Sequence, residues 1–301
     1  MPGEASCVPT FDVWRVDAFT TQPLAGNPAA IVLGADALDE CDMARIAREF
    51  NLSETAFVLQ STRADFRVRY FTPLLEMPLA GHPTIATAHA LRELGRIPLG
   101  ATVVTFEMPA GIIPVEITVT GLQARYTMTQ LEAVFLQTYR AAPVAGALGL
   151  GPQDVARLPV QTVSTGAPFL LVPLRSEAAL ARVVPDRRAL FGGARDYLGV
   201  HAFVRTHTGT HAFAARHFSP PGEAPEDPAT GSACGALAAY ARRHGLIGQN
   251  EYTVLQGTYV GRPGTIYVQA GGGPHARSAV RVGGNAVTIA RGRLELPITR
   301  L

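Results

Sequence analysis

The sequence predicts an α+β fold of two pseudo-duplicated domains, each a curved, mostly antiparallel sheet or barrel around a central helix. Three observations support this class. A motif of a strand, a proline-rich turn and a glycine-led helix occurs twice, both helices carry small residues on nearly every face, and a weaker match precedes the motif in each half. Helices without a polar face are typically enclosed by other elements, so each is expected inside its sheet.

The repeat consists of three matches that follow one another in the same order. Residues 69–78 and 216–225 both read R-x-F-[ST]-P-x-x-E-x-P, and a glycine-led, alanine-rich segment follows each of them. A weaker match sets Gly26-Asn27-Pro28 against Gly166-Ala167-Pro168. Chance can produce one such match, whereas three in one order indicate two halves with a common architecture.

The remaining elements follow from the pattern along the chain. Apolar and polar residues alternate over 66–71 and 212–218, which is typical of strands, and central helices are predicted over 83–94 and 232–244. Further helices are predicted over 38–50, 152–156 and 177–183, the crossover between the halves within 132–152, and closing strands over 265–269, 279–282, 286–291 and 293–297. We therefore expect an N-terminal half-domain of 1–128, completed by the strands of about 286–301, and a C-terminal half-domain of 129–285.

Composition excludes several classes of function. The chain has 301 residues, 47% of them hydrophobic and 17% charged, with a formal net charge of +2, which is typical of a globular protein. Its 26 basic residues are all Arg. Without Lys the chain cannot form an aldimine with pyridoxal phosphate or carry the lysine of a phosphate-binding loop. The chain has no cluster of basic residues, so a nucleic-acid partner is not expected.

The cysteines and the apolar segments point to the cytoplasm. Cys7, Cys41 and Cys234 lie far apart and form no C-x-x-C pair, so neither a disulfide scaffold nor a thiolate zinc site is expected. The first ten residues lack the basic and apolar regions of a signal peptide. Apolar runs such as 169–174 are too short to span a bilayer. We expect a cytoplasmic protein with no membrane partner.

Other motifs do not support a metal, hydrolase or dinucleotide site. The histidines at 201, 207, 211 and 217 lack the H-E-x-x-H spacing, and 207–211 fits a hairpin turn between two strands. The segment 231–235 is not G-x-S-x-G, and the glycines at 146, 149 and 151 do not form G-x-G-x-x-G after a strand.

The repeat has a chemical consequence if the two halves face each other. Two helix N-termini would then lie on one cleft, and their free N–H groups and dipoles would stabilise a carboxylate or an enolate. The polar residues of these loops are Glu76, Gly81 and His82 on one side and Glu226, Asp227, Thr230 and Ser232 on the other.

A series of recognisable segments runs along the chain: V-D-A-F at 16–19, L-A-G-N-P-A-A at 24–30, N-L-S-E-T-A-F at 51–57, L-A-G-H-P-T at 79–84 and E-D-P-A-T-G-S-A at 226–233, followed by Gln256-Gly257 and Gly261-Arg262-Pro263. In these segments the chain resembles the PhzF-like family, the phenazine-biosynthesis isomerases and their relatives. The resemblance implies the diaminopimelate-epimerase-like fold, a homodimer and a metal-free, cofactor-independent isomerase that moves a proton on a small carboxylated substrate.

The resemblance also implies roles for individual residues. Glu54, in the N-L-S-E-T segment, corresponds to the glutamate that carries the proton. His82 and Asp227 correspond to the polar partners of the cleft. Gly81, Gly231 and Ser232 correspond to the loops that hold the substrate.

One departure from the epimerase and racemase relatives favours a single base. Those enzymes carry one cysteine in each loop, whereas the matching positions here are Ala80 and Thr230. Neither side chain takes up a proton at neutral pH, and Cys234 lies one turn further along the helix. A base on one face of the substrate is therefore expected.

Two other interpretations remain open at this point: an epimerase of an amino-acid-like substrate, and a small-molecule-binding relative without turnover. Taken without the resemblance, Glu54 also fits a helix end or a surface turn. His82 and Asp227 fit helix caps, and Ser232 a residue of a first helical turn.

Overall fold

The structure is a computed structural model, and it describes residues 9–206, 209–271 and 280–296. The first half contains β1 (Thr10–Ala18), β2 (Asn27–Leu33), α1 (Glu40–Phe50), β3 (Thr55–Leu59), β4 (Phe66–Phe71), β5 (Glu76–Met77), α2 (His82–Glu93), β6 (Val103–Met108), β7 (Gly111–Thr120), β8 (Gln123–Thr129) and β9 (Val134–Tyr139). The second half contains α3 (Ala141–Ala147), β10 (Val160–Ser164), β11 (Pro168–Pro173), α4 (Glu177–Ala181), α5 (Arg187–Phe191), β12 (Gly199–Arg205), β13 (Phe213–Phe218), β14 (Glu226–Asp227), α6 (Gly231–Arg243), β15 (Glu251–Gln256), β16 (Gly264–Ala270), β17 (Val280–Gly284) and β18 (Ala286–Glu295).

The strand pairings repeat between the halves. In the first, β1 to β4 pair in order, with β2 and β3 parallel; β4 then pairs in parallel with β6, and β6 to β8 are antiparallel. In the second, β10 to β13 pair in order, with β11 and β12 parallel; β13 pairs in parallel with β15, and β15 to β17 are antiparallel. The mixed architecture, with a large curved sheet and few helices, confirms the predicted fold class.

The halves exchange their last strands. β9 leaves the first half and pairs with β10, while β18 returns from the second half and pairs with β1. β8 and β17 also pair directly, which joins the two ladders into one continuous sheet. Separating the halves would therefore break three strand pairings. The half-domain boundaries expected from the sequence stay a prediction.

Each half encloses one central helix. Ile85 and Leu91 of α2 and Leu237 and Tyr240 of α6 are buried among the inward-facing residues of the strands. α1 packs outside the first sheet, where Met43 and Ile46 contact a separate apolar cluster. In α3 to α5, the buried residues belong to a cluster on the outer face of the second half.

Helix α1 determines where the following loop begins. The Asp39 carboxylate accepts a hydrogen bond from the Asp42 N–H and caps the N-terminus. At the other end Asn51 adopts a left-handed conformation with φ of 49°, which ends the helix. The chain then turns into β3 through Ser53 and Glu54.

Several predicted elements differ in detail from the observed ones. The segment predicted as a helix at 152–156 is a 3-10 turn, Pro152–Asp154, and the crossover region contains β9 and α3. The two strands predicted at 286–291 and 293–297 are one strand, because Gly292 stays in register opposite Val13 instead of turning the chain. The helix predicted from residue 38 begins at Glu40.

The second copy of the repeat, at 216–225, also differs from the sequence alignment near its end. Arg69 makes a two-point ion pair with Glu76, at 2.7 and 2.6 Å. Its counterpart Arg216 pairs in the same way with Glu226, at 3.0 and 2.6 Å, and not with Glu223. The second loop is therefore three residues longer than the first.

Of the helices in the described residues, none combines the length and apolar character that a membrane span requires.

The enclosed position of α6 leads to a stability prediction. Leu237→Ala should lower the free energy of unfolding by about 2–5 kcal/mol, because it leaves a cavity beside a completely buried side chain. Leu122→Ala is the matched control, because Leu122 is fully exposed and should change stability by less than about 0.5 kcal/mol. Urea unfolding monitored by circular dichroism measures both, and equal effects would contradict the enclosed helix.

Candidate active site

The N-termini of the two central helices meet. A Cβ added to Gly81, which precedes α2, would lie 3.5 Å from the backbone N of Ser232 at the start of α6. Neither helix has a side-chain cap at its first turn. The backbone N–H groups there are thus directed toward one cleft, and with the helix dipoles they form a suitable environment for an anion.

Glu54 lies at the edge of this cleft, directly before β3. Its side chain keeps 18% of its surface exposed, and Oε2 is 3.4 Å from Nε2 of His82. The geometry does not make a hydrogen bond, and His82 Nε2 is buried without a partner among the described residues. Burial, together with the negative charges of Asp227 and Glu223, raises the pKa of Glu54 well above its ordinary value. A carboxyl of this kind holds its proton more firmly than a free glutamate and is a stronger base once ionised.

His82 is the first residue of α2 and is almost completely buried. Burial lowers the pKa of its imidazole to about 4, although the Asp227 carboxylate and the Pro28 backbone oppose the shift. The ring is therefore neutral at pH 7. Its Nδ1 lies 3.1 Å from Nδ2 of Asn27.

Asp227 joins the two halves through its carboxylate. One oxygen accepts hydrogen bonds from Asn27 Nδ2 at 2.8 Å and Ser53 Oγ at 3.0 Å, both from the first half. The other oxygen accepts one from Thr230 Oγ1 at 2.5 Å. Gln256 completes the network, because its side-chain N–H groups reach the Asp227 carbonyl at 2.7 Å and Thr230 Oγ1 at 3.0 Å.

Asn27 has more acceptors within reach than it has hydrogens. Besides Asp227 and His82, its Nδ2 lies 2.9 Å from the carbonyl oxygen of Ala229. The amide carries two N–H donors, and the two shorter contacts, to Asp227 and Ala229, use them most fully. Asn27 therefore links β2 to the loop before α6, and it touches the imidazole without binding it strongly.

The predicted site residues differ in what they contact. Glu54, His82 and Asp227 lie together, and Gly81 and Ser232 adjoin each other where the two helices meet. Gly231 has a packing role, because a Cβ there would lie 2.7 Å from Cζ of Phe19.

Sequence reasoning missed Asn27, Ser53 and Gln256 as members of the network. All three lie in segments that carry the family resemblance, so the signal was present in the chain. Their partners are separated from them by as many as 202 positions, as for Asn27 and Ala229, and pairings at that distance require the fold.

Ala80, Thr230 and Cys234 are the positions at which a second base is not expected. The Thr230 hydroxyl is engaged with Asp227 and Gln256, and Ala80 has no polar side chain. Cys234 is completely buried, and burial raises the pKa of its thiol far from neutrality. None of the three can exchange a proton with a ligand at neutral pH.

The described histidines considered for a metal site do not all lie together. His201 and His217 are buried neighbours on β12 and β13, whereas His211 Nδ1 contacts Thr253 Oγ1 at 2.9 Å. His207 lies outside the described residues. Within the described residues, no group of three His, Cys, Asp or Glu side chains is arranged to hold a metal ion.

Comparison with known proteins shows which family and which relatives the chain is similar to. The family model of phenazine biosynthesis-like proteins (PhzC-PhzF) matches residues 16–292. The chain is 38% identical to a trans-2,3-dihydro-3-hydroxyanthranilate isomerase of Pseudomonas aeruginosa, covering 93% of this chain and 98% of that protein. It is 35% identical to the uncharacterized isomerase YddE of Escherichia coli K12, covering 92% and 96%.

Solved structures show the same likeness. A PhzF-family phenazine biosynthesis protein of Bacillus anthracis superposes with a TM-score of 0.86 at 32% identity, over 96% of this chain and all of that one. A hydroxyproline epimerase of Agrobacterium vitis superposes with a TM-score of 0.66, over 96% of this chain and 94% of that one. Its 14% identity makes this a likeness of fold alone.

The environment of Glu54 predicts how stability depends on pH. Because the folded pKa lies above the ordinary value of 4.5, this carboxyl stabilises the fold below pH 4.5 and loses that contribution as pH rises through the folded pKa. Glu54→Gln has no proton to lose. It should therefore melt at a higher temperature than the wild type at pH 8, by a margin that shrinks toward pH 4. Differential scanning fluorimetry across this range measures the margin.

Glu49→Gln provides the control for that measurement, because Glu49 is exposed on α1. Comparison with this variant removes any general effect of replacing one glutamate by glutamine. A margin for Glu54→Gln that stays constant between pH 4 and pH 8 would contradict the raised pKa.

Proposed function

The chain belongs to the phenazine biosynthesis-like family, and from that premise we propose that it is a cofactor-independent isomerase that moves a proton within a small carboxylated metabolite. The observation that carries the proposal is the position of Glu54. Its carboxyl has a raised pKa, lies beside His82 at the start of α2 and has no side-chain hydrogen bond among the described residues. The relatives named as isomerases support the same class of reaction.

The proton transfer needs one base and one anion-stabilising environment. Ionised Glu54 removes a proton from a carbon next to an unsaturated or carboxylated carbon, and the electron pair left behind spreads into that conjugated group. The protonated Glu54 then returns the proton to another carbon of the same molecule, so no atom is gained or lost. A carboxyl whose pKa is raised is a stronger base when ionised, and its protonated form can return the proton, which suits both directions of this transfer.

The developing negative charge would be stabilised by the uncapped first turns of α2 and α6. Backbone N–H groups aimed at the site of charge contribute several kcal/mol in comparable catalytic sites, on the order of 3. The negative charge of Asp227 would disfavour a second negative charge on the substrate. Hydrogen bonds from Asn27, Ser53 and Thr230 to its carboxylate reduce this repulsion. Neutral His82 adds a polar contact without adding a second charge.

A small carboxylated ring acid is the substrate class that we propose. Relatives from three Pseudomonas species carry the name trans-2,3-dihydro-3-hydroxyanthranilate isomerase, and the chain covers nearly all of their length. Two free helix N-termini suit the carboxylate of such an acid. By the same likeness we propose a homodimer of a cytoplasmic protein.

An epimerase of an amino-acid-like substrate is the alternative. It would need a second acid or base on the opposite face of the substrate carbon. Thr230 and Ala80 stand where the two cysteines would be, and the buried Cys234 thiol cannot replace them. The single-base isomerase is therefore the function that the geometry favours.

Proton exchange with deuterated water tests the proposal. The protein is incubated with trans-2,3-dihydro-3-hydroxyanthranilate, other small unsaturated or hydroxylated acids, and enantiopure trans-4-hydroxy-L-proline, and NMR detects deuterium at carbon. We expect incorporation into an unsaturated acid with the wild type, and a rate at least about 100-fold lower with Glu54→Gln, because general-base catalysis is lost.

Glu49→Gln is the matched control and should exchange at the wild-type rate. Exchange that survives in Glu54→Gln would remove Glu54 from its role. Epimerisation of trans-4-hydroxy-L-proline would establish the alternative. Tight binding of the unsaturated acids without exchange at any pH would indicate a binding protein.

A further inference from the structure

The two halves of the cleft carry different chemistry at equivalent positions. In the first half Ala30 pairs with Thr55 and Ala56 with Tyr70; in the second Leu170 pairs with Val200 and His201 with His217. Glu54 precedes Thr55, and Gly199 precedes Val200. Gly199 is thus the counterpart of the base, and this position of the second half has no side chain.

The imidazole of His217 occupies the space beside Gly199. A Cβ added to Gly199 would lie 2.4 Å from His217 Nε2 and 2.6 Å from Cε1, so any side chain here would collide with the ring. His217 belongs to the inward-facing row of β13, together with Phe213 and Ala215, which line the interior around α6. Its ring packs edge-on against Phe169, at 5.2 Å between centroids.

His217 is also adjacent to the network of the cleft. It lies directly opposite Asp227 in the pairing of β13 with β14, and Asp227 binds Asn27 and Ser53 of the first half. The ring therefore lies beside the Asp227 carboxylate. Its place in the second half is equivalent to that of Glu54 in the first half, on the other side of the two helix starts.

One ring nitrogen of this histidine has no hydrogen-bond partner among the described residues. His217 is 4% exposed and its Nδ1 is buried without a partner. Its neighbour His201, with a ring centroid 5.6 Å away, is completely buried, and neither of its nitrogens has a partner there. Buried polar atoms of this kind are unusual in native proteins and call for an explanation. For His217, a ligand that enters beside Gly199 would come within reach of the ring.

We propose that His217 is a substrate-binding residue, which gives a hydrogen bond to a hydroxyl group of the substrate from the half of the cleft opposite Glu54. This inference rests on the proposed function and deepens it, because it assigns to the same site a binding residue from the second half. A hydroxyl both donates and accepts, so it can pair with a neutral imidazole in either tautomer.

Two observations favour a hydroxyl over a second carboxylate as the partner. Burial lowers the pKa of His217 to about 4, so the ring carries no charge at pH 7 that would attract an anion. The neighbouring Asp227 carboxylate would also repel an anionic group placed beside the ring. The carboxylate of the substrate then belongs at the helix starts, and its hydroxyl beside His217.

A pair of ligands and three variants test this assignment. Isothermal titration calorimetry measures the binding of 3-hydroxyanthranilate and of anthranilate, which lacks the hydroxyl. We expect the wild type to prefer 3-hydroxyanthranilate by about tenfold, the equivalent of one hydrogen bond. His217→Phe should remove this preference and leave the affinity for anthranilate within about twofold, since the apolar ring fills the same space.

His217→Gln places an amide near the position of Nε2 and should restore most of the preference. His201→Phe is the matched control, because it removes the buried imidazole of the next strand, and it should keep the preference. Melting temperatures confirm that each variant is folded.

The outcomes separate this inference from the proposed function. A wild type that exchanges and binds hydroxylated acids, with a preference unchanged in His217→Phe, would overturn the role of His217 alone. Equal losses in His217→Phe and His201→Phe would show a packing effect and overturn it as well. A wild type that neither exchanges nor binds any acid of the panel would overturn the proposed function, and this inference with it.

Discussion

The carboxylate of Asp227 is the contact on which the arrangement of the cleft depends. It belongs to a two-residue strand of the second half, and Asn27 and Ser53 of the first half donate to it. Removing a charge from water costs several kcal/mol unless donors replace the lost hydration, so these bonds are required wherever the carboxylate is buried. Because Ser53 is held in this way, the adjacent Glu54 is directed toward the start of α2. The position of the base therefore follows from a bond between the halves.

The duplicated sheet makes that bond possible. β9 and β18 are exchanged between the halves, and β8 pairs with β17, so the relative placement of the two central helices is determined by continuous ladders. Duplication gives each half the same helix start, and divergence then gives the halves different side chains around it. The first half retains Glu54 and His82, whereas Gly199 and Ser232 occupy the corresponding positions of the second. One base and two anion-stabilising ends result from a single architecture used twice.

Much of this architecture could be predicted from the sequence, and the failures have physical causes. The two central helices are visible because a buried helix needs small residues on every face, and Glu54, His82 and Asp227 are visible because they lie in recognisable segments. Asn27 lies in such a segment too, but its role in the network is not visible, because it depends on a partner 200 positions away. The pairing of Arg216 with Glu226 is not visible for a different reason: the spacing of the sequence motif matches Glu223 to Glu76, and only the longer folded loop brings Glu226 to Arg216.

The cleft also contains groups that destabilise the folded protein. His82 Nε2 and the Asn27 Oδ1 atom are buried without partners among the described residues, and Glu54 is held where ionisation is unfavourable. Each such group destabilises the fold by about 1–3 kcal/mol in typical proteins. A base that were fully hydrogen-bonded would stabilise the protein, but its lone pairs would be occupied and its pKa would fall below the range useful for proton transfer. The extensive strand pairing elsewhere offsets this cost, so the chain can keep a carboxyl that is reactive because it is poorly satisfied.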